Sequence, residues 1–590
     1  VFRQLLDPVG GSLGLSALCA AIPLFTLFLL LGVLRLKAWI AGLVSLGVAV
    51  VVAVAAFTMP VGQALLGASE GAAFGFFPIL WIVLNAIWVY NLTVETGHFD
   101  VLRRSFEKVS PDRRVQAITI AFCFGALLEA LAGFGTPVAI TVVMLMTLGF
   151  TPLKSAALAL IANTAPVAFG ALAAPIVTLA TVTAGAGARL NENTLGAMVG
   201  RQTPLLAAVV PLVLVFVADG RRGLREAWKP ALAAGVTFGV VQFAAANYVS
   251  VPLTDIMAAL LSAAVVVLVV RRGGERLPAP AVPSARTAPA AERDVVGVTT
   301  TGAAGVTADT GGGVPGRQGP PDRGAPVAAA GDGGGSREPL PYTRAEVLRA
   351  YAPYLIIIAM FVLANLAPVK KALARQPWTT SFPWPGLHVL SAGGKPVSTT
   401  TFAFNWLPAA GTLLVIAGIL SAVVLRIPAR RALAAYGRTY AGLRWAIVCV
   451  MAVLALAYVM NLSGQTASLG AFLARAGRFF PVLAPILGWL GVAVTGSDTS
   501  SNALFGALQV QTAARAGLDP VLLAAANSSG GVLGKMISPQ NLAIAAAAVG
   551  RAGHEGELFR KVLGWSLALL ALMVVLVVLQ STPVLSWMVP

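Results

Sequence analysis

The sequence predicts an all-α polytopic membrane protein with about 12 transmembrane crossings plus two re-entrant hairpins, arranged as two inverted-topology repeats with broken helices. Three observations predict it. Hydrophobic residues make up 57% of the chain and charged residues 11%, with a mean hydropathy of +0.84, far from soluble-domain averages. Apolar runs of spanning length recur along the whole chain, some plain and some interrupted by polar or helix-breaking residues. The two halves also repeat each other at a nearly constant offset.

Crossing a hydrocarbon core takes about 20 residues at 1.5 Å each. Plain runs fall near 14–34, 38–58, 72–92, 203–219, 229–247, 252–270, 347–367, 404–425, 441–461 and 563–580. Residues 14–34 read as a span that stays in the mature chain, because a second apolar run follows instead of a small-residue cleavage site. Four further stretches are interrupted: 115–150 at "GFGTP", 156–185 at "NTAP", 481–515 at "TGSDTSSN", and 519–549 at "NSSGG" and "ISPQN". The arm 137–150 is too short for an untilted span, so 115–150 reads as a hairpin. Between the halves, 273–342 is rich in Gly, Pro, Ala and Ser without periodicity, which predicts a disordered cytoplasmic linker. That leaves an N-terminal transmembrane repeat with an extra helical pair over 1–272 and an inverted C-terminal repeat over 343–590.

The formal charge of +18 sits in short clusters between apolar runs, such as Arg103, Arg104, Lys108, Arg113 and Arg114, and Arg221, Arg222, Arg225 and Lys229. Such clusters mark cytoplasmic loops and orient the chain. No basic groove interleaved with aromatics points to nucleic acid. Membrane lipid is the expected surrounding, and the sequence leaves a homo-oligomer open. Cys19, Cys123 and Cys449 lie in apolar runs, and His98, His388 and His554 complete no ligand spacing, so neither a disulfide framework nor a metal site is expected. "HEGEL" at 554–558 lacks the second His of a zinc protease, and no nucleophile–base pair suggests an enzyme.

The repeat aligns "YNLTVETG" at 90–97 with "MNLSGQTA" at 460–467, and "AGFGTP" at 132–137 with "TGSDTS" at 495–500. Asn163, Gly170 and Pro175 are spaced like Asn527, Gly534 and Pro539, at an offset of about 365 residues. Each unit counts five crossings, and an odd number inverts the second copy. Inverted repeats with broken helices are how secondary transporters build a midplane site, with half-helix ends facing it.

The strings "CFGALLEALAGFGTPVAI", "NTAPVAFGA", "GWLGVAVTGSDTSSNALFGALQ" and "NSSGGVLGKMISPQNLAIA" resemble the bacterial L-lactate permease family. The likeness runs from "DPVGGSLGLSAL" to "LSWMVP", excluding the linker, and departs from the family's usual "EGAAGFGAP" at Ala130 and Thr136. The resemblance implies uptake of lactate, glycolate and related 2-hydroxy acids by proton symport across the bacterial plasma membrane, with no cofactor. Sodium coupling on a similar architecture is the rival reading, since Ser, Thr and Asn around unwound backbone also suit Na⁺.

An ionisable residue inside a membrane segment costs about 2.5–3.5 kcal/mol on insertion, which makes it a functional candidate by default. Glu129 and Asp498 are the candidate proton-coupling residues, although Asp498 with Thr499 and Ser500 is also good N-cap chemistry. Glu129 shares a helical face with Gly125 and Gly133, which would let a neighbouring backbone approach it. Lys535 is expected to pair with a substrate carboxylate or neutralise Asp498; snorkelling to the inner interface is the alternative. Gly133, Gly135 and Thr136 at one hairpin tip, Thr499, Ser500 and Asn502 at the other, and Asn163, Thr164, Asn527, Ser528 and Ser529 on the broken helices complete the expected substrate site. Glu95, Gln465 and Glu70 are expected to be structural residues near helix ends, and Trp81, Trp88 and Trp445 interfacial anchors or packing.

Overall fold

In the computed structural model the described residues are 1–272 and 343–590, apart from 35, 108, 132, 134, 395, 398, 399, 552 and 553. The expected linker over 273–342 therefore lies outside the described residues. The first half runs through α1 (Leu13–Phe28), α2 (Ala38–Ala55), α3 (Val61–Phe74), α4 (Trp81–Glu95), α5 (His98–Glu107) and α6 (Arg113–Ala117). It continues through α7 (Gly125–Leu131), α8 (Thr136–Thr147), α9 (Pro152–Ala162), α10 (Gly170–Thr183), α11 (Glu192–Ala244) and α12 (Thr254–Arg272). The second half holds α13 (Arg344–Asn365), α14 (Ala367–Leu373), α15 (Ala410–Val424), α16 (Ala429–Ser463) and α17 (Gln465–Leu473). It ends with α18 (Phe480–Thr495), α19 (Asp498–Ala516), α20 (Pro520–Gly534), α21 (Pro539–Ala548) and α22 (Glu555–Gln580).

Among the described residues, eleven helices are long and apolar enough to cross a membrane. The count sits beside an expectation of about 12 because long helices are not divided where the sequence was. The predicted spans 203–219 and 229–247 both belong to α11, which kinks at Asp219 and Gly220. Arg114 anchors that kink: it pairs with Asp112 at 2.8 Å, Asp219 at 3.3 Å and Glu226 at 2.6 Å. The predicted span 404–425 is shorter than expected, because α15 has 15 residues.

The expectation of an all-α chain needs one correction. Phe2–Arg3 (β1) pairs in parallel with Val389–Leu390 (β3), and Thr380–Pro383 (β2) pairs antiparallel with Thr401–Phe404 (β4). The connection between α14 and α15 is rich in Thr, Phe, Trp and Val, punctuated by Pro and Gly, which is strand and turn chemistry. These strands form a cap at one end of the helices.

Two helix breaks differ in how they arise. Helix α9 stops at Asn163 because Pro166 has no N–H and its ring clashes with the preceding turn. At the matching place in the second half Gly530 stands where Pro166 does, and α20 runs unbroken through "NSSGG" to Gly534. The chain breaks there only at the tight turn Lys535–Ile537, before Ser538 caps α21 through Asn541 N. The expected break at "NSSGG" is thus a packing surface: Gly530 meets the backbone of Pro485, and Gly534 that of Trp489, so α18 and α20 pack backbone to backbone.

One apolar core spans both halves, joining Phe122, Phe124 and Phe169 to Phe480, Leu523 and Leu533. Leu18, Phe25, Val51, Val240 and Val423 are exposed on the outer faces of the spans, where hydrocarbon is the solvent that suits them.

Candidate functional site

Two hairpins end against each other. The first joins α7 to α8 through Gly133 (φ 50°) and Gly135 (φ 84°), a left-handed backbone that favours glycine. The second joins α18 to α19 through Gly496 (φ 76°) and Ser497. Ser497, not Asp498, is the cap of α19: its hydroxyl accepts from Ser500 N at 3.3 Å. Asp498 is the first helical residue, and its side chain is left for other work.

A cavity of ≈ 40 Å³ lies where the tips meet, lined by Glu129, Gly133, Gly496, Asp498, Thr499 and Lys535, with Gly170, Ala171, Ala174 and Pro175 of α10 as one wall. That volume is a few times the about 10–15 Å³ a single water needs. The α10 wall begins with Ala171, Leu172 and Ala173 at φ of 45°, 51° and 61°. Three non-glycine residues in the left-handed region are strained, and such strain gathers at functional sites.

Lys535, the only buried lysine among the described residues, is salt-bridged to Glu129 Oε1 across the two halves of the chain. The direct ion pair is thus with Glu129, while Asp498 lines the same cavity, and the buried ammonium does not snorkel. Asn163 Nδ2 donates to Glu129 Oε2 at 3.0 Å. The backbone that closes on this carboxylate belongs to Gly170, where a Cβ would stand 2.9 Å from Oε1; Gly125 faces Thr141 instead. Helix α21 supports the cation's own turn, since Asn541 Nδ2 and Ser538 Oγ both donate to the Lys535 carbonyl, at 3.0 and 2.9 Å.

Asp498 Oδ2 accepts from Ser528 Oγ at 2.6 Å and from Asn502 Nδ2 at 3.4 Å, while Oδ1 has no hydrogen-bond partner among the described residues. Gly531 of α20 gives Oδ1 its room. Asn502 also donates to the Pro175 carbonyl at 3.1 Å and accepts from Asn527 Nδ2 at 2.9 Å, and Asn527 in turn accepts from Gln509 at 3.2 Å. A polar chain thus runs from α10 through α19 to α20.

The expected residues divide accordingly. Glu129, Gly133, Asp498, Thr499 and Lys535 line the cavity, and Asn163, Asn502, Asn527 and Ser528 stand directly behind it. Gly135 packs instead on Ile544 and Asn541 of α21. Thr136 donates its N–H to the Gly133 carbonyl, and Thr164 its hydroxyl to that of Ile161. Ser500 serves the cap, and Ser529 Oγ is buried with no hydrogen-bond partner among the described residues.

Glu95 pairs with Arg438 at 2.5 Å, and Gln465 donates to the Ala49 carbonyl at 3.2 Å. Glu70, expected near a helix end, is fully buried, and neither carboxylate oxygen has a hydrogen-bond partner among the described residues. Asp255, which the sequence reading passed over, is also fully buried, with Gln242 donating to Oδ1 at 2.9 Å. In both cases the signal was an acid inside an apolar run, in "LLGASEGAAFGFF" and "VPLTDIMAALL".

The profile of the L-lactate permease family matches residues 16–288 and 325–584 of this chain. The chain is 38% identical to the L-lactate permease of Bacillus subtilis (strain 168), with 100% of each covered. It is 40% identical to the glycolate permease GlcA of Escherichia coli (strain K12), with 98% of each covered. In fold it is similar to the YdaH transporter of Alcanivorax borkumensis at a TM-score of 0.43 and 16% identity, covering 86% of this chain and 87% of that one. Matched along nearly its whole length by a permease profile and by full-length relatives, the chain belongs to the L-lactate permease family.

Proposed function

We propose that this protein carries L-lactate and related 2-hydroxy monocarboxylates such as glycolate into the cell by proton symport, from a site between two re-entrant hairpins. The names of its relatives support the substrate class. The carrying observation is the buried Lys535–Glu129 pair beside a second buried carboxyl, Asp498, in a cavity shared by both hairpin tips.

That arrangement couples two ligands. A substrate carboxylate that takes Lys535 leaves Glu129 as an uncompensated buried charge, and a proton removes that charge. Substrate and proton then favour each other's binding, and the coupling is reciprocal. Asn163, Asn502, Asn527, Ser528 and Thr499 are placed to hold the hydroxyl and carboxylate oxygens, and Asp498, with a free oxygen, is the second protonatable group. The two halves, 1–272 and 343–590, form inverted repeats with about 12 crossings in the plasma membrane. The α7–α8 hairpin enters from the cytoplasm and the α18–α19 hairpin from outside, as the basic loops orient them.

The test uses purified protein in sodium-free proteoliposomes with a pH dye inside. Inward gradients of lactate and of glycolate should each acidify the lumen, and succinate should not. Substrate entry without acidification, or entry only with sodium present, would transfer the coupling to another ion.

A further inference from the structure

A second cavity, of ≈ 310 Å³, opens beside the strand cap, at the lower end of the about 300–1,000 Å³ of small-molecule pockets. Gln4, Thr183, Ser391, Asn461 and Gln511 supply its polar lining, and none of the described residues that line it is charged. Asn461 comes from the repeated "MNLSGQTA" stretch, which the site above does not use. Its Oδ1 accepts from Gln511 Nε2 at 3.2 Å, and its carbonyl from Gln4 Nε2 at 2.8 Å. Three amides from separate parts of the chain therefore form one wall.

Further lining comes from the far end of α10 (Val182, Thr183) and the middle of α19 (Ala507, Val510). Nearer the start of the same two helices, Pro175 and Asp498 line the candidate site. From Pro175 to Val182, and from Asp498 to Ala507, the helical rise spans about 10–14 Å. A packed seam fills that distance. Asn502 Nδ2 donates to the Pro175 carbonyl at 3.1 Å. At Gly506 a Cβ would stand 2.7 Å from Leu179 Cδ1 and 3.0 Å from Val182 Cγ2.

We propose that the larger cavity is an outer antechamber that binds the small hydroxy acid, and that the α10–α19 seam at Leu179, Asn502 and Gly506 is the gate between it and the inner site. The inference rests on the transport reading above. Amides and hydroxyls offer hydrogen bonds to the acid's oxygens. Gly506 presents only backbone to α10, which lets the two helices slide or part without dragging a side chain.

The test starts from protein in which Cys19, Cys123 and Cys449 are replaced by Ala. In that background Leu179→Cys with Gly506→Cys should close into a disulfide on oxidation, since a Cβ at Gly506 would touch the end of the Leu179 side chain across the seam. Lactate uptake should fall about tenfold and return on reduction. Separately, Ala507→Cys should react with an impermeant anionic thiosulfonate added outside, lowering uptake about fivefold, and lactate should slow that reaction about threefold.

A disulfide that leaves uptake unchanged, failure of Ala507→Cys to react from outside, or reaction without loss of uptake would each overturn the proposal. If the reduced double variant carries no lactate, the Ala507→Cys measurements decide. Uptake by the cysteine-free parent checks the transport reading separately. A parent that moves no lactate defeats that reading, whereas thiol reaction from outside needs no transport.

Discussion

Lys535 is 5% exposed and Glu129 2%, so each is tolerable in the interior only because of the other. Removing one partner of such a pair costs about 3–5 kcal/mol, because the charge left behind has neither water nor a counter-ion. Lys535→Met should therefore lower the unfolding temperature of the detergent-purified protein markedly. Adding Glu129→Gln should recover most of the loss, since the amide oxygen still accepts from Asn163 and no bare charge remains. If Lys535 takes the substrate carboxylate as proposed, transport should stay abolished in both. A single variant as stable as the double would show that the pair contributes nothing to holding the two halves together.

At the scale of elements, the second hairpin is held by the contact of α18 with α20. A Cβ at Gly530 would stand 2.5 Å from Pro485 Cα, a backbone atom that cannot rotate away. Overpacking of this kind costs about 1–3 kcal/mol, and more when only backbone can move. Gly530→Leu should lower the unfolding temperature and the lactate-binding capacity together. Gly564→Leu on α22, where nothing lies within 4 Å of the added atom, should change neither; equal effects would place the strain elsewhere. Helix breaks were legible in the sequence only in part, for a related reason. Pro166 forbids a hydrogen bond, and its effect is local and readable. "NSSGG" merely weakens helix propensity, and packing against α18 overrides the weakness. There the glycines form the contact surface and do not break the helix. Only part of the strand cap was illegible: β1 and β3 pair residues nearly four hundred positions apart, which no local pattern reports, whereas β2 and β4 pair locally within a stretch of strand and turn chemistry. Glu129, Asp498 and Lys535 were legible because a charge in an apolar run stands out. Which of the acids Lys535 pairs with was not, since that depends on how α7, α19 and the turn after α20 meet in three dimensions.

For the whole molecule, charge decides what drives accumulation. Lactate carries one negative charge at neutral pH, so one proton per lactate makes the loaded carrier's ligands neutral in sum, and the empty carrier returns unchanged. The membrane potential, worth about 2.3 kcal/mol per charge per 100 mV, then does no work on the cycle. A pH difference of one unit supplies about 1.4 kcal/mol, or about tenfold accumulation at equilibrium. Proteoliposomes with a potassium gradient and valinomycin set the potential while buffers set the pH difference independently. The lactate ratio should follow the pH difference at about tenfold per unit and should not change when a potential of about 100 mV is imposed. A net charge of one per cycle would instead multiply the ratio by about fifty under that potential, which would mean that a second proton moves with each lactate. With Glu129 neutralised by Lys535 at rest, Asp498 is the group in the cavity that would carry it. Asp498→Asn should then remove the voltage dependence and lower the pH dependence from about a hundredfold to about tenfold per unit, and should change neither slope if the cycle is electroneutral.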